Sequence, residues 1–164
     1  MDAYLSPEMK STGEAIGYDT KLHRAMYKAL IASGIRMQNY GTVIFTLADE
    51  DKAEALPLAR RFYDLGFNIE ATTMTAEYMR EHGLRTRLLR KPSEGSSEIL
   101  DSIRAGYVSY VVNTRAILSG VHYEDGVAIR RCASEHRVTM FTSLDTVRVL
   151  LDVLEEMTIG VSAI

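Results

Sequence analysis

The stretch GTVIFTLADEDKAEALPLARRFYDLGFNIEATTMTAEYM, residues 41–79, decides the fold. It holds two short apolar runs, residues 42–47 and 67–71, which have the length and composition of β-strands. The segment between them places Ala55, Leu58 and Phe62 at helical spacing, and Gly66 follows it as a helix stop. Pro57 falls within this helix and predicts a kink or a late start. A strand, a helix and a second strand in this order predict a parallel βαβ unit.

The same alternation continues toward the carboxyl end of the chain. Helices are predicted over residues 75–82, from Ser96 or Ser97 to residue 105, over 125–135, and from Ser143 or Asp145 to residue 156. Strands are predicted over residues 84–89, 108–112 and 138–141, while residues 158–164 receive no assignment. Five alternations predict a single α/β fold, a doubly wound five-stranded parallel sheet with helices on both faces, of the three-layer Rossmann type.

Composition excludes several classes of protein. The chain has 164 residues, is 46% hydrophobic and carries a net charge of −3, which argues against binding to nucleic acid or to a membrane surface. Cys132 is the only cysteine, so no internal disulfide is possible and a reducing, cytoplasmic location is expected. The sequence contains neither a signal-peptide pattern nor an apolar run long enough to span a bilayer.

Small polar residues follow three of the predicted strands. Because the carboxyl ends of parallel strands meet at one edge of the sheet, beside the amino ends of helices, these residues predict a site for an anionic ligand. Two lysines, after the first and third strands, would supply ammonium groups to a phosphate. The predicted effector-binding residues are Thr46, Lys52, Thr72, Thr73, Thr75, Lys91, Asn113 and Thr114.

A simpler interpretation competes with this site. Lys52 and Lys91 could be solvated surface lysines, the threonines could cap helices, and Asn113 could form a local turn. The sequence contains no metal-binding spacing, no Walker loop, no GxGxxG motif and no GxSxG motif. No catalytic residue, metal or cofactor is therefore predicted, and binding is favoured over catalysis.

The chain resembles the methylglyoxal synthase-like domain, and in particular the C-terminal allosteric domain of the carbamoyl-phosphate synthase large subunit. Residues 6–14, SPEMKSTGE, are similar to the end of that enzyme's second ATP-grasp unit. From residue 41 onward the resemblance rests on ADEDK at 48–52, LGF at 65–67, ATTMTA at 71–76, EHG at 81–83, RKPSEG at 90–95, VNT at 112–114 and IRR at 129–131.

The resemblance implies two parts: residues 1–38 as a remnant of the ATP-grasp unit with a linker helix, and residues 39–164 as a methylglyoxal synthase-like regulatory domain. It implies partners, namely the remainder of the large subunit, the glutaminase small subunit and a small-molecule effector, and leaves a homo-oligomer open. It also matches Thr46, Lys52, Thr72, Thr75 and Lys91 to phosphate contacts. Asn113 and Thr114 match nucleoside contacts.

The effector stays open among UMP, IMP, phosphoribosyl pyrophosphate and N-acetylglutamate. Nucleotide-regulated members usually carry glycine where this chain has Met74, and serine and glycine where it has residues 115–117, RAI. Two other functions compete with effector binding. One is an assembly domain that binds no ligand. The other is a lyase of the methylglyoxal synthase type, which would need a glycine-rich loop and a catalytic aspartate after the fourth strand.

Overall fold

A computed structural model describes residues 38–117 and 121–162, together with positions 25, 28, 29 and 32, which are helical. The predicted unit over residues 1–38 lies almost wholly outside this part of the chain. The strands are β1 (Thr42–Thr46), β2 (Asn68–Thr72), β3 (Arg87–Leu89), β4 (Val108–Asn113) and β5 (Thr139–Phe141). The helices are α1 (Lys52–Asp64), α2 (Thr73–Glu81), α3 (Glu98–Arg104), α4 (Val121–Glu135) and α5 (Leu144–Ser162). Short 3₁₀ turns precede α1 and follow β3 and β4.

The five strands form one parallel sheet in the order β3-β2-β1-β4-β5. The chain moves outward from β1 to β3, returns to the other side of β1 as β4, and then continues outward to β5. The reversal between β1 and β4 is the switch point of a doubly wound sheet. The predicted fold class is confirmed.

The sheet has a separate hydrophobic core on each face. Successive residues of a strand point to opposite faces, so Val43 and Phe45 pack beneath α1, α2 and α5, while Ile44 packs beneath α3 and α4. The first core contains an aromatic group in which the Phe62 ring lies 5.2 Å from that of Phe67 and 6.2 Å from that of Tyr110. The second core contains Cys132, as expected of a cysteine on an amphipathic helix.

Several predicted boundaries are wrong. Helix α1 begins at Lys52 and runs through Pro57, so a late start is excluded; buried Leu58 and Phe62 hold the helix against the sheet beyond the proline. Gly66 follows the end of α1, as predicted, and has a φ of +102°, a conformation that favours glycine. Helix α5 extends to Ser162 because its apolar face remains packed on the core as far as Met157.

Three further elements differ from their predicted ranges. β3 is shorter than residues 84–89 because the Thr86 carbonyl accepts from Arg80 Nε and its hydroxyl donates to the Leu84 carbonyl, which are bonds outside the strand ladder. Helix α2 begins at Thr73, immediately after an extended Thr72, and α4 begins at Val121. The earlier start of α2 brings its first turn directly to the end of β2.

Candidate functional site

The switch point places two of the predicted residues side by side. Thr46, the last residue of β1, pairs in register with Asn113, the last residue of β4. On the other side of β1, Thr72 ends β2 and lies opposite Leu89 of β3, two residues before Lys91. Since all strands are parallel, the ends of β1 to β4 share one edge, as the sequence predicted.

Most of the predicted residues are buried at this edge. Thr73 and Lys91 are half-buried, while the other six are buried: Thr46, Lys52, Thr72, Thr75, Asn113 and Thr114. Buried polar groups are normally fully hydrogen-bonded, so the partners of each one show whether it supports the fold or remains available to a ligand.

Two threonine hydroxyls hold the loop after β1. The Leu47 amide donates to Thr75 Oγ1 at 3.3 Å, and the Ala48 amide donates to Thr114 Oγ1 at 2.9 Å. The loop after β1 is thereby joined through side chains to α2 and to the residue that follows β4. A hydroxyl that accepts one bond can still donate another, so the structural role of these threonines is compatible with ligand contact. Thr72 directly precedes α2 but makes no side-chain cap bond to it, unlike the capping role that the simpler interpretation gave to the threonines.

Lys52 is not a solvated surface lysine. Its side chain is only 11% exposed, and its ammonium donates to Asp49 Oδ1 at 2.7 Å, whereas the Asp49 side chain is 86% exposed. A buried ammonium is costly without anionic partners, and an exposed carboxylate one turn away is a weak one because water screens it. Lys52 therefore presents a positive charge that a bound anion would stabilise further.

Lys91 follows β3 and begins a 3₁₀ turn, Pro92–Glu94. Its backbone amide donates to Glu94 Oε1 at 2.9 Å, and Thr73 Oγ1 lies 3.5 Å from both oxygens of that carboxylate. Glu94 thus lies between the start of α2 and the Lys91 turn. It was not among the predicted site residues.

Asn113 carries the clearest unsatisfied group at the site. It is 1% exposed, and its Oδ1 has no hydrogen-bond partner in the described part of the chain. Its Nδ2 lies 4.0 Å from Met140 Sδ, which is a weak acceptor. A buried amide oxygen without a hydrogen-bond donor lowers the stability of the fold. Binding a ligand that offers a donor and an acceptor would restore that stability.

Asp125 supports the same edge from α4, and the sequence analysis missed this role. It accepts from the Ser93 amide at 2.9 Å and from the Ser93 hydroxyl at 2.7 Å. This buried carboxylate anchors the turn that follows Lys91. Ser93 and Asp125 lie far apart in the chain, so no local pattern could have revealed their contact.

The described residues contain no group of three or more His, Cys, Asp and Glu side chains arranged to hold a metal ion. Among the same residues, no helix is both long and apolar enough to cross a membrane. The predicted site residues themselves contribute hydroxyls, one side-chain amide and two ammonium groups, and these can bind an oxygen-rich anion.

Comparison with known families agrees with this architecture. The model of the MGS-like domain matches residues 54–142, which is more than half of the chain. The chain belongs to the MGS-like domain family. The matched region runs from α1 to β5 and therefore contains the ends of β2, β3 and β4, with Thr72, Lys91 and Asn113 at the shared edge.

Proposed function

We propose that this MGS-like domain is the effector-binding regulatory domain of a carbamoyl-phosphate synthase large subunit. It binds a phosphorylated or carboxylated metabolite, such as UMP or IMP, at the carboxyl edge of its sheet. The observation that carries this proposal is the buried amide of Asn113, whose Oδ1 has no partner among the described residues at the switch point. A nucleobase offers the adjacent donor and acceptor that such an amide pairs with.

The positions of the cations support an anionic ligand. Lys52 is buried at the start of α1, where the helix dipole adds to its positive charge. Lys91 follows the strand that pairs with Thr72, and hydroxyls of Thr72 and Thr75 lie on the same edge. A hydrogen bond to a charged group contributes roughly 1.5–3 kcal/mol, so a few such contacts give micromolar affinity.

Regulation follows if the ligand binds one conformation of the parent enzyme better than another. The partners on which this acts are the rest of the large subunit and the glutaminase small subunit, and no bond is made or broken in this domain. Coupling between such sites is typically about 1–3 kcal/mol. The same free energy must appear as tighter effector binding in the favoured state.

The carboxylates near this edge are already engaged, which favours regulation over lyase activity. Asp49 binds the Lys52 ammonium, Glu94 accepts from the Lys91 amide, and Asp125 accepts twice from Ser93. The segment after β4, Thr114–Ile117, is a 3₁₀ turn without glycine or aspartate. These contacts support a structural role for the three carboxylates rather than a role in proton abstraction.

Ligand-dependent melting tests the proposal. A ligand present at a hundred times its Kd stabilises the folded state by about 2.7 kcal/mol, which raises the Tm of a domain this size by roughly 5–10 °C. We expect such a shift with at least one of UMP, IMP, phosphoribosyl pyrophosphate and N-acetylglutamate. Unchanged melting with all four would favour an assembly domain, and methylglyoxal formation from dihydroxyacetone phosphate would favour the lyase.

A further inference from the structure

A cavity lies away from the proposed effector site, near the amino ends of β1 and β2. Its volume is about 590 Å³, within the range of small-molecule sites. It is lined by polar and aromatic side chains of β2, α1, the segment leading into β3 and the turn before β4. The side chains that matter for recognition are Tyr63, Asn68, Glu70, Arg85, Arg87 and Tyr107.

Glu70 is the buried charged group of this cavity. It is 4% exposed, and its Oε1 has no hydrogen-bond partner among the described residues. The Arg87 guanidinium lies 3.6 Å from Oε2, which is long for an ion pair, and Arg87 is itself exposed. Burial raises the pKa of Glu70. The charge of Arg87 and hydrogen bonds from Tyr107 and Ser102 lower that pKa, but they offset only part of the rise. One oxygen of the carboxylate, Oε1, therefore lacks a donor.

The torsion that orients a glutamate carboxylate is soft and nearly two-fold. Either oxygen of Glu70 can thus turn toward the cavity without a change in the backbone. A ligand nitrogen bound there would supply the missing donor, and its positive charge would compensate the buried negative one. No comparable compensation comes from a neutral, purely apolar ligand.

Two arginines supply the opposite charge at the same cavity. Arg85 and Arg87 are both exposed, and Arg85 makes no ion pair within the described part of the chain. A guanidinium binds a carboxylate or phosphate through two parallel hydrogen bonds. The cavity therefore combines a buried hydrogen-bond acceptor with two accessible, positively charged hydrogen-bond donors.

Two tyrosine rings complete the lining. Tyr63 is 44% exposed and Tyr107 is 40% exposed, while the Tyr107 hydroxyl donates to Ser102 Oγ at 2.9 Å and so fixes the ring. Tyrosine rings offer a ligand a large apolar area with little loss of side-chain entropy.

We propose that this cavity binds a zwitterionic metabolite with an apolar or aromatic body, of the chemical class of the α-amino acids. Its ammonium group bonds to Glu70, its carboxylate bonds to Arg85 and Arg87, and its body packs against Tyr63 and Tyr107. This site is separate from the anion site at the opposite edge and does not depend on the function proposed for that edge.

Isothermal titration of the full chain with three matched probes tests the assignment. L-Phenylalanine carries both charges, phenethylamine lacks the carboxylate, and phenylpropionate lacks the nitrogen. We expect L-phenylalanine to bind and each of the other two to bind roughly tenfold more weakly or worse, as loss of one charged contact requires. No binding of L-phenylalanine at millimolar concentrations, or equal binding of phenylpropionate, would overturn the proposal.

Variants separate this cavity from the other site. Glu70→Gln and Arg85→Ala should each weaken L-phenylalanine binding roughly tenfold, whereas Arg131→Ala, which removes an exposed guanidinium outside the cavity, should leave it unchanged. Lys91→Ala should also leave it unchanged. If Lys91→Ala abolished binding, the amino acid would occupy the effector edge and the proposal would be wrong. Arg85 is exposed, so its variant folds even if replacement of Glu70 perturbs the protein.

Discussion

Ser93 and Asp125 are 32 residues apart in the chain, and two hydrogen bonds join them, from the Ser93 amide and the Ser93 hydroxyl to the two carboxylate oxygens. One side chain of α4 thereby holds the turn that follows β3. Because Lys91 precedes this turn, the position of its ammonium depends on Asp125, although Asp125 lies outside the predicted ligand contacts.

Asp125→Ala should therefore weaken effector binding without removing any proposed contact. Loss of this acceptor removes two hydrogen bonds to a buried carboxylate, from the Ser93 amide and hydroxyl, and should destabilise the protein by about 1–3 kcal/mol. Asp125→Asn keeps an acceptor for that amide and should recover most of the stability and affinity. Urea unfolding and titration with the effector would measure both; equal affinity in Asp125→Ala and the unaltered protein would contradict a positioning role.

Lys91→Ala should abolish the thermal shift caused by any effector that binds at the carboxyl edge. The side chain is half-buried in a turn, so the Tm of the free protein should change by about a degree or less. Lys91→Arg is the matched variant, because it keeps the charge and should keep part of the shift. A full shift in Lys91→Ala would exclude this lysine from the site.

Met74→Gly would introduce the glycine that the resemblance to nucleotide-regulated domains implies at this position. In this structure Met74 is 56% exposed in the first turn of α2, and among the described non-glycine residues only Arg137 has a positive φ. The helical backbone at Met74 therefore makes no use of glycine's freedom, and the variant should cost about 1 kcal/mol in helix stability. Met74→Ala separates bulk from flexibility: if nucleotide affinity rises equally in both variants, bulk is the cause.

Glu70→Gln should change how stability depends on pH. Burial raises the pKa of Glu70 in the folded state, so the folded protein binds this proton more tightly than the unfolded chain does. The contribution of Glu70 to the free energy of unfolding is therefore present at pH values below the ordinary glutamate pKa. It is lost as the pH rises through the raised pKa of the folded state. The glutamine variant should lose this slope and be more stable at neutral pH. Unfolding curves across pH 4–8 (roughly the window in which carboxylates and histidines titrate) would show an unchanged slope if the idea is wrong.

Arg61→Ala should loosen the packing of α1 against α5. Arg61 Nε and Nη2 bond to the Glu155 carboxylate at 2.9 and 2.6 Å, and Nη2 also bonds to Asp152 at 2.8 Å. These hydrogen bonds raise the pKa of the guanidinium above its ordinary value, and the bond to Glu155 has the largest effect. The side chain is 30% exposed, so we expect a loss of about 1–2 kcal/mol.

Arg61→Lys should recover less than half of that loss, because one ammonium cannot reproduce the two-pronged contact. Arg104→Ala provides a control, since Arg104 forms only a 3.6 Å pair with Asp101 on the exposed face of α3. Thermal melting in low and high salt would distinguish the two sites. An equal Tm for Arg61→Ala and Arg104→Ala would contradict a stabilising role for the α1–α5 bridge.

The sequence by itself determined the alternation of strands and helices and the polar residues at strand ends. Both follow from local patterns: Val43, Ile44 and Phe45 form a short apolar run, and Gly66 directly follows a segment of helical spacing. Boundaries were less predictable. Arg80 donates to the Thr86 carbonyl, which shortens β3, and Met157 packs against the core, which lengthens α5. Both contacts form only when the chain has folded.

Only the tertiary structure decided which residues meet. The order of the strands puts Thr46 opposite Asn113, brings Asp125 to Ser93, and leaves the Glu70 carboxylate buried beside Arg87. None of these pairs lies within one strand or helix, so neither helical nor strand periodicity could reveal them. Burial then sets their chemistry, because hydrogen-bond and charge energies depend on exclusion of water, and that exclusion is a property of the packed fold.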